Sequence, residues 1–160
     1  MESENLFPDD GLDIEEDEFA EMDDEETPVG YLESIYFDES IGDFSRNGQN
    51  QLIGSTRIEA WKQWCVNCIM TERDTYPAYG SSFGVSTTEA VKAETQEECE
   101  NILAFEIEEA LLNDPYGRTE TVEEIEFNWL NTNQLEVTVT VNGIDDVSID
   151  LEVTIDMRAR

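Results

Sequence analysis

The chain has 160 residues, carries a formal net charge of −32 and contains no histidine. The length fits one domain of ordinary size plus a tail, and the charge argues against binding to nucleic acid or to an anionic membrane surface, since both repel acidic proteins. Without histidine, a histidine-based catalytic or metal site is excluded, so the expected partners are other proteins. The acidic proteome of a salt-loving host is a second explanation of the charge.

The sequence predicts a protein that folds in the host cytoplasm. No stretch approaches the roughly 18 consecutive apolar residues that a membrane-spanning helix needs. The first four residues, Met1–Glu4, are acidic and lack the basic region of a signal peptide. Three cysteines, an odd number, do not make the disulfide framework of a secreted protein.

Residues 1–27 form an acidic arm that contains fourteen carboxylates and neither lysine nor arginine. Such a segment repels itself and has too little apolar surface to offset its ordering entropy. A few apolar residues interrupt it with the spacing of a short linear motif: Leu6, Phe7, Leu12, Ile14, Phe19 and Met22. Two interpretations remain open, a solvated flexible tail and an arm that orders on a neighbouring subunit. Residues 28–160 are predicted to form the folded domain.

Short β-like pieces begin the domain, around Tyr31, Ile35 and Phe37. Glycines separate these pieces and supply turns. The pair Asn47-Gly48 predicts a hairpin between residues 41–44 and 51–53, because this dipeptide favours a two-residue turn.

Two amphipathic helices follow. Thr56 and Glu59 have the spacing of a capping box, and apolar residues at helical spacing then predict a helix to about Arg73. A loop over residues 75–88 joins it to the second helix. Thr95 and Glu98 repeat the capping signature, and an apolar face continues to residue 112.

The last forty residues predict three strands, over residues 122–129, 135–141 and 147–157. The last two alternate strictly between apolar and polar residues, so one face lies on a core and the other in water. Asn142-Gly143 and residues 144–146 are predicted to connect them as a C-terminal β-hairpin. The fold class is therefore α+β, with two amphipathic helices packed on a mostly antiparallel sheet.

No catalytic, metal or cofactor site is predicted. Cys65 and Cys68 have C-x-x-C spacing, but both fall mid-helix on the apolar stripe, which favours small buried residues over a zinc or redox site. The aromatic residues Tyr76, Tyr79 and Phe83 fit a packed loop better than a sugar site. Nothing singles out a catalytic pair among the forty acids, and no nucleotide-binding glycine pattern occurs.

The few cations are more informative than the many acids. Lys62, Arg73 and Arg118 lie within or beside the predicted elements, and each is expected to be ion-paired locally. Arg73 and Arg118 are expected to close the two helices, where a cation offsets the helix dipole. The alternative is that these cations hold carboxylates of a partner at a subunit contact.

The last predicted strand suggests how a partner is held. At a sheet edge it would offer unpaired N–H and C=O groups, to which another chain adds a strand. Acidic side chains on its outer face would disfavour self-association and favour a basic partner. The alternative is that the edge is protected and binds no partner. The residues predicted for this strand pairing are Val147, Ile149, Leu151, Val153, Ile155 and Met157.

The sequence resembles one known family. Residues 54–64 read G-S-T-R-I-E-A-W-K-Q-W and are similar to the G-T-x-A-L-x-Q-W segment of baseplate proteins in PBSX-type prophages, part of the wedge and sheath-initiator family of contractile phage tails once labelled lysozyme-like. The similarity covers residues 28–160, although Pro77 and the long acidic arm depart from the pattern. The similarity continues in a second segment, here called the family block, which comprises Thr71, Glu72, Arg73, Tyr76, Tyr79 and Gly80. Phe83-Gly84 follow it and also match.

The resemblance implies a non-enzymatic structural subunit of the tail baseplate in the virion, in a ring of roughly six copies. It implies contacts with baseplate wedge proteins, the tail sheath protein and tube or hub proteins. Family members link the wedge to the hub and template the first sheath ring, with sheath arms completing a sheet. The block residues are either structural or contact residues. Two alternatives are a tail-associated peptidoglycan hydrolase and a tail assembly chaperone absent from the mature particle.

Overall fold

The structure is a computed structural model that describes residues 30–38 and 40–158, so the acidic arm lies outside the described residues. It confirms the α+β class. None of its helices, within these residues, has the length and apolar character of a membrane span. The elements in chain order are β1 (Ser34–Ile35), β2 (Phe37–Asp38), β3 (Asp43–Phe44), β4 (Gly54–Ser55), α1 (Arg57–Met70), α2 (Thr88–Val91), α3 (Gln96–Leu112), β5 (Thr119–Asn131), β6 (Gln134–Gly143) and β7 (Val147–Asp156).

The main sheet is antiparallel, with the strand order β5-β6-β7. One face is covered by the two long helices, α1 against β7 and α3 against β5. Alternation places every second residue of β6 in the core, and these side chains are fully buried. They are Leu135, Val137, Val139 and Val141.

The predicted capping box at the start of α1 is present. The Thr56 hydroxyl accepts from the Glu59 N–H, and the Glu59 carboxylate accepts from the Thr56 N–H at 2.9 Å. These hydrogen bonds lower the pKa of Glu59. In α3 only half of the box forms, because the Glu98 carboxylate accepts from the N–H of Glu94 instead of Thr95.

The first helix ends at Met70, three residues earlier than predicted. Thr71 is extended, and its carbonyl accepts from the Val85 N–H at 2.9 Å while the Arg73 N–H donates to the Val85 carbonyl. This pairing with a distant segment removes residues 71–73 from the helix. The loop that follows also leads into α2, which is too short to show helical periodicity in a sequence.

The N-terminal strands pair differently from the predicted hairpin. β3 pairs with β2, and β4 pairs with β1, while residues 46 and 52 form only an isolated bridge. Hydrogen bonds from Ser40 to the Asp38 carboxylate stabilise the β2–β3 turn. Asn47 still reverses the chain, but its side-chain oxygen accepts from the N–H groups of residues 49 and 51, which makes a longer turn than the two-residue type.

Gly143 allows Trp61 to pack against the sheet. Asn142 and Gly143 belong to β6, and residues 144–146 alone make the turn, with positive φ at Asp145 and Asp146. A Cβ atom on Gly143 would stand 2.6 Å from the Trp61 ring and closer still to the Tyr31 hydroxyl. Only a glycine therefore fits under these two aromatic side chains.

Arg73 and Arg118 are ion-paired within the chain, as predicted. Arg73 lies 3.4 Å from Glu106 on α3, and the buried Arg118 lies 2.7 Å from Asp114 in the connection from α3 to β5. The expected role of these cations at the helix dipole was wrong, because neither lies in the last turn of a helix. The expected local ion pair of Lys62 is not found among the described residues.

Replacing Gly143 with alanine should lower the free energy of unfolding by about 1–3 kcal/mol, because the added methyl group forces Trp61 and Tyr31 to shift. Urea denaturation followed by tryptophan fluorescence measures the change. Gly48→Ala is the matched control, since a Cβ there meets no atom within 4 Å. An equal loss in both variants would contradict the packing argument.

Candidate assembly surface

Strand β7 lies at an edge of the main sheet, the position that strand pairing requires. It pairs with β6 over an unbroken register from Gln134–Asp156 to Gly143–Val147. The other edge strand, β5, departs from regular register at three points. A regular edge is the better template for another strand, since bulges twist backbone groups away from a partner.

The outward-facing backbone groups of β7 belong to its polar residues. The Met157 N–H donates to the Asn133 carbonyl at the end of the β6–β7 ladder. Because N–H and C=O direction alternates along an antiparallel strand, the odd-numbered residues of β7 bond to β6. The free edge is therefore formed by the backbone of Ser148, Asp150, Glu152 and Thr154. The apolar alternation drew attention to the other residues and did not indicate these.

The six residues predicted for strand pairing form the helix-facing side of β7. Leu151, Val153, Ile155 and Met157 are buried, and Val147 and Ile149 are partly buried. The opposite side carries carboxylates that face solvent, among them Asp150, which accepts from the Thr140 hydroxyl at 2.9 Å. A strand added at this edge would therefore have an apolar face of β7 on one side and an acidic face on the other.

A groove of about 530 Å³ lies beside the end of β7. Its apolar lining comes from the end of α1, from α2 and from β7, and Met70 is 61% exposed there. The apolar lining residues are Ile69, Met70, Val91 and Ile155. The groove gives room for apolar side chains next to the free edge.

Three residues of the family block, Thr71, Glu72 and Arg73, hold the loop between α1 and α2. The Thr71 hydroxyl donates to the Asn67 carbonyl, and the Glu72 carboxylate accepts from the N–H and hydroxyl of Thr87. Arg73 donates to the Gly84 carbonyl at 3.0 Å and pairs with two carboxylates of α3. The partners of Glu72 and Arg73 lie 11 to 36 positions along the chain, too far to be read from the sequence.

The other residues of the block, Tyr76, Tyr79 and Gly80, lie on the surface. Tyr79 contacts Tyr76 on one side and Phe83 on the other, with ring centroids 6.0 and 4.4 Å apart. Phe83 in turn packs on Trp64, which fits the predicted packed loop. Tyr76 and Tyr79 nevertheless remain 55% and 52% exposed.

Cys65 and Cys68 are buried, as favoured above, and together with the buried Cys99 they are free thiols. Burial raises the pKa of Cys65, Cys68 and Cys99, which keeps all three protonated and unreactive near neutral pH. Within residues 30–38 and 40–158, no three histidine, cysteine or carboxylate side chains come together as metal ligands would.

Replacing Glu72 with alanine should lower the free energy of unfolding by about 1–3 kcal/mol, because the charged hydrogen bonds to Thr87 are lost. Amide hydrogen exchange should accelerate across residues 71–88 in particular. Glu89→Ala is the control, since Glu89 makes only an exposed ion pair with Lys92. Unchanged exchange in the Glu72 variant would show that this carboxylate does not hold the loop.

The sequence matches the model of one known family. A family model described as the contractile injection system sheath initiator matches residues 33–146, more than half of the chain. Membership gives the chain a structural role in a contractile sheath, in contact with tail sheath components. No curated protein matches the chain. The chain belongs to the sheath initiators of contractile injection systems.

Proposed function

We propose that this sheath initiator offers β7 to an extended arm of a tail sheath subunit, which adds to the main sheet as a fourth strand. The observation that carries the proposal is the regular free edge of β7, whose outward backbone groups have no partner in the sheet. Strand addition satisfies such groups and gives affinity through main-chain hydrogen bonds.

The side chains around the edge define the chemistry of the arm. Every second residue of the arm faces the helices and should be apolar, because it meets Met70 and the groove beside it. The intervening residues face the same side as Asp150 and Glu152 and should include lysine or arginine. The carboxylates also keep two copies of this chain from pairing edge to edge, since like charges would meet.

In this proposal a ring of roughly six copies stands in the baseplate of the virion tail. Each copy links wedge proteins to the central hub or tube and presents one β7 strand, so the ring templates the first sheath ring. Family membership and the resemblance of residues 28–160 to wedge proteins support this placement. Reconstruction of intact tails by electron cryo-microscopy tests it, and β7 without an added strand would refute the pairing.

The proposed role is structural and requires no catalysis. A peptidoglycan hydrolase would clear a suspension of bacterial cell walls, whereas we expect the purified protein to leave its turbidity unchanged. A tail assembly chaperone would be missing from purified tails, whereas we expect mass spectrometry to find this chain there. Clearing of the walls, or absence from tails, would favour the corresponding alternative.

Replacing Glu152 with proline should abolish binding of purified sheath protein while the domain stays folded. The Glu152 N–H points away from β6, so proline removes an edge donor without breaking the β6–β7 ladder. Circular dichroism checks the fold, and a pull-down measures the binding. Glu152→Thr is the matched control, because it removes the same charge but keeps the N–H. Equal binding by both variants would refute strand addition at β7.

A further inference from the structure

The N-terminal layer, residues 32–55 with strands β1 to β4, leaves its large apolar side chains outside the core. Of the fourteen large apolar side chains that are exposed among the described residues, seven lie in this layer, each 37–66% exposed. They are Leu32, Ile35, Tyr36, Ile41, Phe44, Leu52 and Ile53. A concentration of exposed apolar surface in so short a segment marks a binding surface.

A groove of about 770 Å³ runs between this layer and α1. Ile35 and Phe44 line it from the layer, and Trp64 and Met70 line it from the helix. The edge-to-face contact of Phe37 with Phe44 holds the layer side, with ring centroids 5.5 Å apart. Polar side chains of α1, such as Gln63 and Asn67, also line the groove, but most of its lining residues are apolar or aromatic.

In the described part of the chain, three cations without an ion pair lie in the layer or in the first two turns of α1, which follows it. Arg46, Arg57 and Lys62 are exposed and have no carboxylate within 4.0 Å among the described residues, whereas the other four described cations are ion-paired. Arg57 is the first residue of α1, where the helix dipole disfavours a cation. Arg57 therefore does not stabilise α1 through the helix dipole and is free to meet an acidic ligand.

We propose that residues 1–29 of the same chain dock on the N-terminal layer. Their fourteen carboxylates complement Arg46, Arg57 and Lys62, and their apolar residues, such as Phe7 and Phe19, fill the groove. This contact is independent of strand addition at β7.

The start of the described chain favours this occupant. The Gly30 N–H donates to the Tyr116 carbonyl at 2.9 Å, and the Tyr31 ring packs 5.4 Å from that of Trp61 on α1. The preceding residues thus begin beside the layer and have ample reach, since 29 residues span up to about 95 Å when extended. The short tether also raises the effective concentration of the arm.

Carbodiimide cross-linking of the full chain tests the proposal, because the chain has only two lysines, Lys62 and Lys92. The reagent joins a lysine amine to a touching carboxylate as an amide, and the water that is lost converts the carbodiimide to a urea. We expect Lys62 to link to acids of residues 1–29 and Lys92 to link to Glu89, its ion-pair partner. Mass spectrometry of the digested protein identifies both products.

Replacing Arg46 and Arg57 together with glutamate should reduce the Lys62 link to the arm about fivefold, because two exposed charge pairs are lost. Arg158→Glu, an exposed cation of the β7 end, is the control and should leave the yield unchanged. Both replaced side chains are exposed, and circular dichroism verifies the fold.

Three results would overturn the proposal. The first is linkage of the arm to Lys62 no more often than to Lys92. The second is a Lys62 yield that the Arg46 and Arg57 substitutions do not change. The third comes from a mixture of ¹⁴N- and ¹⁵N-labelled protein, in which cross-linked peptides carrying both isotopes would show that the occupant is a second copy.

Discussion

Trp61, packed over Gly143, holds the N-terminal segment, α1 and the main sheet together. Trp61 is fully buried, and its indole N–H donates to the Thr119 hydroxyl at the start of β5 at 3.1 Å. The ring also contacts Tyr31, so one side chain joins the N-terminal segment, α1, β5 and β6. Because α1 is fixed on the sheet in this way, β7 has one face covered and its outer edge left open.

The free edge of β7 and the loop between α1 and α2 differ in how their polar groups are used. Glu72 and Arg73 use their charges inside the molecule, where hydrogen bonds across 11 to 36 positions of sequence fix the loop on α3. In β7 the apolar side chains are buried, whereas the outward-facing backbone N–H and C=O groups have no hydrogen-bond partner in the sheet. In the proposed strand addition, a receiving strand that is already held in the sheet loses little entropy when a partner strand pairs with it.

The charge of −32 is distributed unevenly over the chain. Acids crowd the first 27 residues and the outer face of β7, whereas the described cations without ion pairs collect between residues 46 and 62. Two surfaces of different character result: the β7 edge with its carboxylates, and an N-terminal layer with exposed apolar side chains. Net charge alone indicates only which broad classes of partner are disfavoured.

Features that depend on local contacts could be predicted from the sequence. The Thr56 cap, the helix from Gln96 to Leu112 and the alternation of β6 and β7 were all predicted, because each arises from residues a few positions apart. Four other features could not be predicted in this way: the pairing of β2 with β3, the early end of α1, the partners of Glu72 and the outward direction of the Glu152 backbone. Each of these follows from contacts between distant segments, and local propensity yields where such contacts bury more surface or satisfy more hydrogen bonds.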